Sequence, residues 1–435
     1  MANHENTTEA IYDAKTLGTG KTLILGLQHM FAMFGATVLV PAITGLNVST
    51  TLLFAGLGTL LFHWVTGRKV PAFLGSSFAF LGAYGLTTAS GQNIPLTYSG
   101  FGVAVAGLMY LVLALMFKIF GTKKVMRFFP PIVTGPIIIC IGLSLAGSAI
   151  TNCQANWLVA LVAIGVVVAA NIWGKGMIKI IPILLGVVIP YIVAVCCGMV
   201  DFSAVGGEKV FGFPQFVLAK FDITAILVMA PIAVAAMMEH IGDISAISAT
   251  CGKNFIGDPG LDRTLLGDGL ATAIAGMFGG PANTTYGENT GVLALSRVYD
   301  PNVVRLAATY AIILSFSPMF DALVNSVPAA IVGGVSFILY GMISAVGVRN
   351  VVENQVDFTK SRNVLIAAMI MGLAIGVSYA GSIIIPIGSI TISLSGLAVA
   401  AIVGIAMNAI LPGKDYEFGT NEQGDTAVNF GTRHD

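Results

Sequence analysis

Ionisable side chains in otherwise apolar stretches cluster in the second half of the chain: Glu239, His240, Asp243, Asp268 and Glu288. A charge at the centre of a bilayer costs several kcal/mol, so such residues usually face a pathway or a partner. Glu239 and Asp243 are four residues apart and therefore share one face of a helix. Carboxylates accept hydrogen bonds from N–H groups and can take up protons, which favours binding of a polar solute coupled to proton movement.

Hydroxyl and aromatic side chains accompany these carboxylates: Ser77, Phe78, Thr285, Tyr286 and Tyr340. Backbone N–H groups at a broken helix can donate to carbonyl oxygens, and aromatic rings stack on a flat ligand. This set suits a small planar molecule with alternating N–H and C=O groups. No cation accompanies the set, which disfavours phosphate ligands, and the sequence has no P-loop, which excludes an ATP-driven pump.

Metal and enzyme sites are poorly supported. The five cysteines have no metal-ligand spacing, and their odd number argues against a disulfide framework. Paired carboxylates could act as acid and base, but no nucleophile or metal site accompanies them, so an enzyme is the weaker alternative. Asp268 has no polar partner evident in the sequence, and we interpret it as a structural hydrogen-bonding residue. We expect no metal and no cofactor, with a proton as the coupling ion.

The elements that position these residues are membrane spans. The chain has 435 residues, 56% of them hydrophobic and 10% charged, whereas soluble proteins carry roughly 25% charged residues. Zero net charge argues against nucleic acid as a partner. A span needs about 20 apolar residues. Clear segments lie near 22–41, 50–66, 101–120, 130–149, 156–173, 178–200, 222–246, 302–325, 329–346, 363–380 and 389–411, and weaker ones near 71–88, 265–280 and 284–299.

The distribution of basic residues supports fourteen spans. With the amino terminus inside and the segments alternating, every lysine and arginine except Lys209 and Lys220 falls on the inner side. This asymmetry is the positive-inside pattern, and dropping one weak segment would destroy it. We read no cleavable signal peptide at the amino terminus. We therefore predict a multi-pass protein of the cytoplasmic membrane with both termini in the cytoplasm.

The two halves of the chain echo each other at an offset near 200–213 residues. The paired motifs are Gln28-His29 with Glu239-His240, Gly56-Leu57-Gly58-Thr59 with Gly269-Leu270-Ala271-Thr272, Ser76-Ser77-Phe78 with Thr284-Thr285-Tyr286, and Pro131 and Gly135 with Pro328 and Gly333. Seven spans per copy is an odd number, so the copies are inverted. Inverted repeats with interrupted segments at matching positions, here the third and tenth, are typical of secondary transporters with a midplane site.

At these residues the chain resembles the nucleobase–cation symporter-2 family, the nucleobase–ascorbate transporters, and within it the bacterial uracil:proton symporters. The resemblance runs through nearly the whole chain. The matching runs are residues 28–41, residues 71–80, Glu239-His240-Ile241-Gly242, residues 283–289, Gly333-Gly334-Val335-Ser336 and Leu339-Tyr340-Gly341. Runs of this length are far more specific than a short motif.

The resemblance implies an all-α polytopic membrane protein with fourteen transmembrane segments in two inverted repeats of seven. Short antiparallel strands are implied in segments 3 and 10. A core domain would move against a gate domain like an elevator, in a homodimer within the lipid bilayer. The implied division is a tail at 1–21, core at 22–125, gate at 126–221, core at 222–327, gate at 328–412 and a tail at 413–435.

The resemblance also implies roles for individual residues. Glu239 and Glu288 would bind the N–H groups of a nucleobase, and the backbone amides of Phe78, Tyr286 and Gly287 would meet its carbonyls. The remaining implied residues are Ser77 and Tyr340 in substrate binding, Glu239, His240, Asp243 and Glu288 in proton coupling, and Gln28, His29 and Asn289 in support.

The substrate remains open at one position. Uracil symporters of the best-known type have a histidine where this chain has Asp243, and an aspartate there is similar to purine-transporting relatives. The run Tyr286-Gly287-Glu288-Asn289 instead resembles the pyrimidine branch. We therefore expect proton-coupled uracil uptake, with a xanthine- or urate-type purine symporter as the alternative. An anion exchanger of the same architecture is a weaker alternative, because two acids at the site disfavour an anion.

Overall fold

The protein is described by a computed structural model that covers residues 10–84, 95–203, 205–387, 390–414 and 416. The described residues are mostly helical. The helices are α1 (Thr19–Thr44), α2 (Val48–Val65), α3 (Leu81–Tyr84), α4 (Leu96–Phe120), α5 (Thr122–Met126), α6 (Pro131–Cys153), α7 (Trp157–Trp173), α8 (Met177–Ile180), α9 (Pro182–Cys196), α10 (Ile223–Met229), α11 (Ile232–Cys251), α12 (Leu261–Met277), α13 (Gly287–Ser296), α14 (Pro301–Ser315), α15 (Pro318–Asn325), α16 (Ala329–Glu353), α17 (Ser361–Ala380) and α18 (Gly396–Ile410).

The strands form two separate antiparallel pairs within the described residues. They are β1 (Leu74–Ser76), β2 (Asn283–Thr285), β3 (Ile383–Ile387) and β4 (Ile390–Leu394). β1 pairs with β2, so that Leu74 lies opposite Thr285 and Ser76 lies opposite Asn283. β3 and β4 form a hairpin.

Seven helical stretches in the described part of the chain are long and apolar enough to cross a membrane, counting α10 and α11 as one. The bent pair α14 and α15 would add an eighth, and α7, α9 and α18 are shorter apolar helices. Many large apolar side chains point outward, among them Leu158 with 75% and Ile410 with 80% of the side chain exposed. A surface of this kind is suited to contact with lipid.

Two predicted spans differ from the observed elements. The segment predicted at 302–325 is broken into α14 and α15, which meet at 89°. Ser317 precedes Pro318 in an extended conformation, and its side chain accepts a hydrogen bond from the Phe320 amide at the start of α15. A residue before proline is disfavoured in the helical conformation, which explains the break.

The segment predicted at 389–411 is helical only from Gly396 onward. Its first part belongs to the β3–β4 hairpin, which the sequence interpretation missed. Isoleucine supplies most of the residues of β3 and β4, and β-branched residues favour strands. Ser395 then caps α18 by accepting a hydrogen bond from the Ala398 amide.

Several predicted segments lie partly outside the described residues. These parts are positions 1–9 of the amino-terminal tail, 85–94 of the core (including 85–88 of the third segment), 204 and 388–389 of the gate, and nearly all of the tail at 413–435. The described part of the amino-terminal tail packs on the helical bundle. The Tyr12 hydroxyl donates to the Cys251 carbonyl at 2.7 Å, and the Ala14 amide donates to the Asp300 carboxylate at 2.8 Å.

Glycines bring pairs of helices into close contact. A Cβ on Gly107 of α4 would lie 2.6 Å from the Gly269 carbonyl oxygen of α12, and a Cβ on Gly56 of α2 would lie 2.6 Å from the Ala308 carbonyl oxygen of α14. In the same way, a Cβ on Gly333 of α16 would meet the backbone of α6. Such contacts are typical of membrane helices, because small residues let two backbones approach.

Two threonines attach the β1–β2 pair to the helices. The Thr59 hydroxyl of α2 shares its proton between the Ala55 carbonyl of its own helix at 2.8 Å and the Leu74 carbonyl at 3.2 Å, and it accepts from the Leu74 amide at 2.9 Å. The Thr272 hydroxyl of α12 makes the same two contacts with Asn283, at 3.0 Å and 3.1 Å. In each strand, the backbone N–H and C=O groups of the first residue are therefore both hydrogen-bonded to a threonine of the preceding helix.

Candidate functional site

A cavity of about 260 Å³ lies beside the β1–β2 pair. Its wall combines residues from both halves of the chain, which are brought together by the antiparallel pairing of β1 with β2. The polar and aromatic residues that line it include Phe31, Phe78, Asn171, Lys179, Glu239, Asp243, Thr284, Thr285, Tyr286 and Glu288. Of the ionisable residues singled out in the sequence, Glu239, Asp243 and Glu288 reach this cavity.

The three carboxylates differ in their hydrogen bonds. Glu239 and Asp243 project from the same face of α11, and both are buried. Asp243 accepts a hydrogen bond from the Thr285 hydroxyl at 2.9 Å. Glu239 Oε2 is buried with no hydrogen-bond partner among the described residues. Glu288 stands in the first turn of α13. Glu239, which lines the cavity, therefore has a buried carboxylate oxygen whose hydrogen-bonding capacity no described residue uses.

The backbone amides offer donors at two places. α13 begins at Gly287 without a side-chain cap, and the helical turn that begins at Phe78 also lacks one. The first amides of a helix have no partner within the helix and attract ligand oxygens. The Tyr286 amide instead donates to the Phe73 carbonyl at 3.0 Å. In this conformation the predicted contact between this amide and a ligand is not available, because the β1–β2 register already uses the amide.

Tyr286 contributes its ring to the wall of the cavity. The ring packs against Gly75 of β1, where a Cβ would overlap it. The Tyr286 hydroxyl donates to the Ser76 carbonyl at 3.0 Å and lies 3.3 Å from the Thr37 hydroxyl. Glycine is thus required at position 75 by the close approach of this ring, which the strand pairing holds in a fixed place.

Phe78 and Tyr340 form an edge-to-face pair with ring centroids 5.8 Å apart. Phe78 lines the cavity, whereas Tyr340 lies behind it and is fully buried. Ser77 is also fully buried and is not part of the cavity wall. Ser77 and Tyr340, which were predicted to bind substrate together with Phe78, therefore lie behind the cavity wall in this conformation and do not line it.

His240 points away from the cavity toward Asp268. The His240 Nδ1 atom lies 2.8 Å from Asp268 Oδ2, and both side chains have no exposed surface. This contact fits the interpretation of Asp268 as a structural hydrogen-bonding residue, and its partner, which the sequence did not reveal, comes from another helix. His240 is not among the residues that line the cavity. Any part it plays in proton coupling would be indirect in this conformation.

The predicted supporting residues form a second group behind α13. Asn289 Nδ2 lies 3.1 Å from His29 Nδ1 and donates to the His29 carbonyl at 3.0 Å. These contacts join α13 to α1, and both residues are buried. Gln28, next to His29, is half-buried and does not line the cavity. The structure thus brings His29 and Asn289 together near the site and leaves Gln28 at its side.

Two polar residues of the cavity were missed by the sequence interpretation. Asn171 of α7 and Lys179 of α8 stand toward its mouth, and Lys179 is exposed. The expectation of a site without a cation was therefore wrong at the mouth of the cavity. Lys179 was counted only as a basic residue of a loop, and nothing in its spacing relates it to residues more than 50 positions away.

A metal site finds no support in the described ranges, where no group of three or more histidine, cysteine, aspartate or glutamate side chains is arranged to hold an ion. The hydrogen-bonding groups of the cavity include carboxylate oxygens, the Thr284 and Thr285 hydroxyls, the side chains of Asn171 and Lys179, and the backbone N–H groups at the start of α13. This arrangement can bind a neutral molecule that presents both N–H donors and carbonyl acceptors.

Comparison with known proteins gives a consistent result. Residues 20–383 match the Xan_ur_permease model, which describes a permease family. The chain is 41% identical over 420 residues to the uracil permease of Bacillus caldolyticus, covering 93% of this chain and 94% of that relative. It is 40% identical over 403 residues to the probable uracil permease of Haemophilus influenzae, covering 90% and 94%.

A solved structure with a similar fold is the transmembrane domain of the cyanobacterial bicarbonate transporter BicA. The TM-score is 0.58 at 15% sequence identity, and the match covers 89% of this chain and 97% of that chain. At this identity the likeness concerns the fold alone.

Proposed function

Because this chain belongs to the nucleobase–ascorbate transporter family of permeases, we propose that it takes up uracil together with protons. The chain is a multi-pass membrane protein and a transporter, not an enzyme. Its 41% identity to a uracil permease extends over 93% of the chain and favours uracil as the substrate. The observation that carries the proposal is that Glu239, which has a buried oxygen without a partner among the described residues, lines one cavity with Glu288 and the uncapped start of α13.

In the proposed complex, Glu239 and Glu288 accept hydrogen bonds from the two N–H groups of uracil. The amides of Gly287 and Phe78 donate to its carbonyl oxygens, and the Phe78 and Tyr286 rings enclose its flat face. Ser77 and Tyr340 support Phe78 from behind. This assignment leaves out the Tyr286 amide, which is already hydrogen-bonded to Phe73.

Proton coupling is proposed for the carboxylates of the same cavity. Glu239, Asp243 and Glu288 all line it, so a proton can be carried next to a neutral base without a further ion. The Thr285 hydroxyl holds Asp243 in place, while His240 acts only through Asp268. No cofactor is required.

A purine symporter of the same family is the second candidate. The observation that favours it is the aspartate at position 243, which lines the cavity and which resembles purine-transporting relatives. An anion exchanger is disfavoured, since three carboxylates line the cavity and the cation Lys179 stands only at its mouth.

We further propose fourteen spans in two inverted repeats, divided into the core and gate domains predicted from the sequence. Gly56 and Gly269, which correspond in the sequence echo, each bring a helix against the backbone of its neighbour. Thr59 and Thr272 correspond as well, and each holds the first residue of a strand. Equivalent contacts at equivalent positions support an internal repeat.

Transport is proposed to follow an elevator-like movement of the core against the gate, in a homodimer in the cytoplasmic membrane with both termini inside. The cavity extends from Glu239 to the exposed Lys179. Lys179 falls on the inner side in the predicted topology, so this conformation would open toward the cytoplasm.

Uptake of labelled uracil into cells that express the protein tests the function. Excess unlabelled uracil, thymine, 5-fluorouracil, adenine or xanthine is added as competitor, with and without a protonophore. We expect pyrimidines and the protonophore to abolish uptake and xanthine to leave it unchanged. Inhibition by xanthine would assign the protein to the purine branch, and uptake that resists the protonophore would contradict proton coupling.

A further inference from the structure

A second polar pocket, separate from the transport cavity, lies where α6 and α17 begin and α18 ends. Its volume is about 190 Å³. It is lined by Arg127, Pro130, Ile132, Arg362, Asn408, Lys414 and Tyr416. Three of these residues are cations, and no acidic residue is among the lining residues that the structure describes. The proposed transport mechanism uses none of them.

The cations are not neutralised by carboxylates within the described residues. Four ion pairs occur there, and none of them includes Arg127, Arg362 or Lys414. The side chains of Arg127 and Lys414 are exposed. Clustered cations repel each other, so an arrangement of this kind is stabilised by a bound anion.

Hydrogen bonds to neutral groups fix the geometry of the pocket. Arg362 Nη2 donates to the Asn408 carbonyl at 3.0 Å and to Asn408 Oδ1 at 2.7 Å. Asn408 Nδ2 in turn donates to the Arg127 carbonyl at 2.8 Å. Arg362 Nε is buried and has no hydrogen-bond partner among the described residues. The guanidinium is therefore held in place with a donor unused.

The pocket borders an apolar surface. Phe128 next to Arg127, Leu365 in the first turns of α17 and Ile410 at the end of α18 expose 45%, 53% and 80% of their surface. In a membrane protein, exposed apolar side chains of this density contact acyl chains. The cations beside them therefore stand at the depth of lipid headgroups, where basic pockets between helices bind anionic lipids.

We propose that this pocket binds the phosphate of an anionic phospholipid, with Arg362 as the fixed donor and Arg127 and Lys414 as flanking charges. The first amides of α17 add donors on the same side, since a helix start attracts anions. The lipid would tie together the ends of α6, α17 and α18. This inference does not depend on which substrate the protein transports.

The test uses the full chain purified in an uncharged detergent and measures its melting temperature against lipid concentration. The probes are dihexanoyl phosphatidylglycerol, dihexanoyl phosphatidylcholine and inorganic phosphate. The variant is Arg127→Gln with Lys414→Gln. A matched control, Lys118→Gln with Lys175→Gln, removes two exposed lysines outside the pocket at the same end of the bundle in the predicted topology.

We expect phosphatidylglycerol to raise the melting temperature of the unmodified protein and of the control. The pocket variant should need about 25-fold more lipid for the same shift, at about fivefold for each cation removed. Equal shifts of melting temperature with phosphatidylglycerol in the pocket variant and the control would contradict the proposed site. Equal shifts with phosphatidylcholine and phosphatidylglycerol would contradict it as well. If inorganic phosphate shifted the melting temperature as much as phosphatidylglycerol, the proposal of a lipid would be wrong and the ligand would be a soluble phosphate.

A single change, Lys414→Gln, keeps the proposal testable if the double variant does not fold. Lys414 follows α18 and its exposed side chain forms no hydrogen bond or ion pair within the described residues. A fivefold loss of lipid sensitivity is expected, and an unchanged response would count against the pocket.

Discussion

At the scale of single residues, Glu239 combines burial with an oxygen that has no donor in the described structure. We expect Glu239→Gln to weaken uracil binding about 10- to 150-fold, because a hydrogen bond to a charged group contributes about 1.5–3 kcal/mol. Equilibrium binding of labelled uracil to the purified protein measures this directly. Glu208→Gln, a change at an exposed acid, is the control. Unaltered binding by the Glu239 variant would remove this residue from the proposed site.

At Asp243, the role of the ionisable carboxylate can be tested separately from the role of its hydrogen bond to Thr285. Asp243→Asn keeps an oxygen that can accept the Thr285 hydroxyl bond but cannot take up a proton. Wild-type uptake should rise as external pH falls, and we expect this dependence to flatten in the variant. Initial uptake rates over a pH series provide the measurement. Thr285→Val, which loses the bond and keeps the carboxylate, should retain the slope. An equally steep slope in Asp243→Asn would place proton coupling elsewhere.

The carboxylates that line the cavity, Glu239, Asp243 and Glu288, could be singled out from the sequence for a physical reason. A buried acid in an apolar helix is costly, so it faces either a pathway, as Glu239 does, or a partner, as Asp268 does. The hydrogen bond from the Tyr286 amide to Phe73 could not be predicted, because it depends on strand register, which the side-chain pattern does not determine. The Asp268–His240 contact and the position of Lys179 were missed because they arise from the packing of separate helices.

At the scale of elements, the attachment of β2 to α12 through Thr272 can be tested. Thr272→Val preserves the shape of the side chain and removes both hydrogen bonds to Asn283. We expect a loss of about 1–3 kcal/mol in stability, because the buried Asn283 groups lose their partner. The melting temperature and the affinity for uracil should both fall.

Thr309→Val is the matched control for this change. The Thr309 hydroxyl is exposed and bonds only within its own helix, to the Arg305 carbonyl at 3.0 Å. Equal melting temperatures and equal uracil affinities for the two variants would show that Thr272 does not hold the strand.

The boundaries of helices and strands could be predicted where hydrophobic composition determines them. They could not be predicted where local backbone conformation determines them. Long apolar runs such as α4 and α16 lie close to their predicted positions. The break at Pro318 and the β3–β4 hairpin interrupt runs that are equally apolar. Hydropathy counts apolar residues alone, so it cannot separate a strand or a bend from a continuous helix.

At the scale of the whole molecule, the contact between α1 and α9 tests the proposed movement of core against gate. A Cβ on Gly35 would lie 3.0 Å from the Ile183 Cβ, somewhat shorter than in typical disulfides, where the distance is about 3.5–4.5 Å. We expect Gly35→Cys with Ile183→Cys to cross-link under oxidation and to stop uracil uptake, since the two domains could no longer separate. Reduction should restore uptake.

The single substitutions Gly35→Cys and Ile183→Cys serve as controls, because oxidation should leave the uptake of each unchanged. A double variant that is fully cross-linked and still transports uracil would exclude relative movement at this contact. Failure to restore uptake on reduction would point to damage by the substitutions themselves.

The β1–β2 pair also has a consequence for how the protein is made. Its strands are separated by about 200 residues, which a ribosome synthesises in roughly 10–40 s. During that interval β1 must wait in or near the bilayer without the strand that completes its hydrogen bonds, and unpaired backbone groups are costly there. Thr59 belongs to the same half of the chain and already bonds both polar groups of Leu74. This one hydroxyl therefore shields part of the nascent site until its second half is inserted.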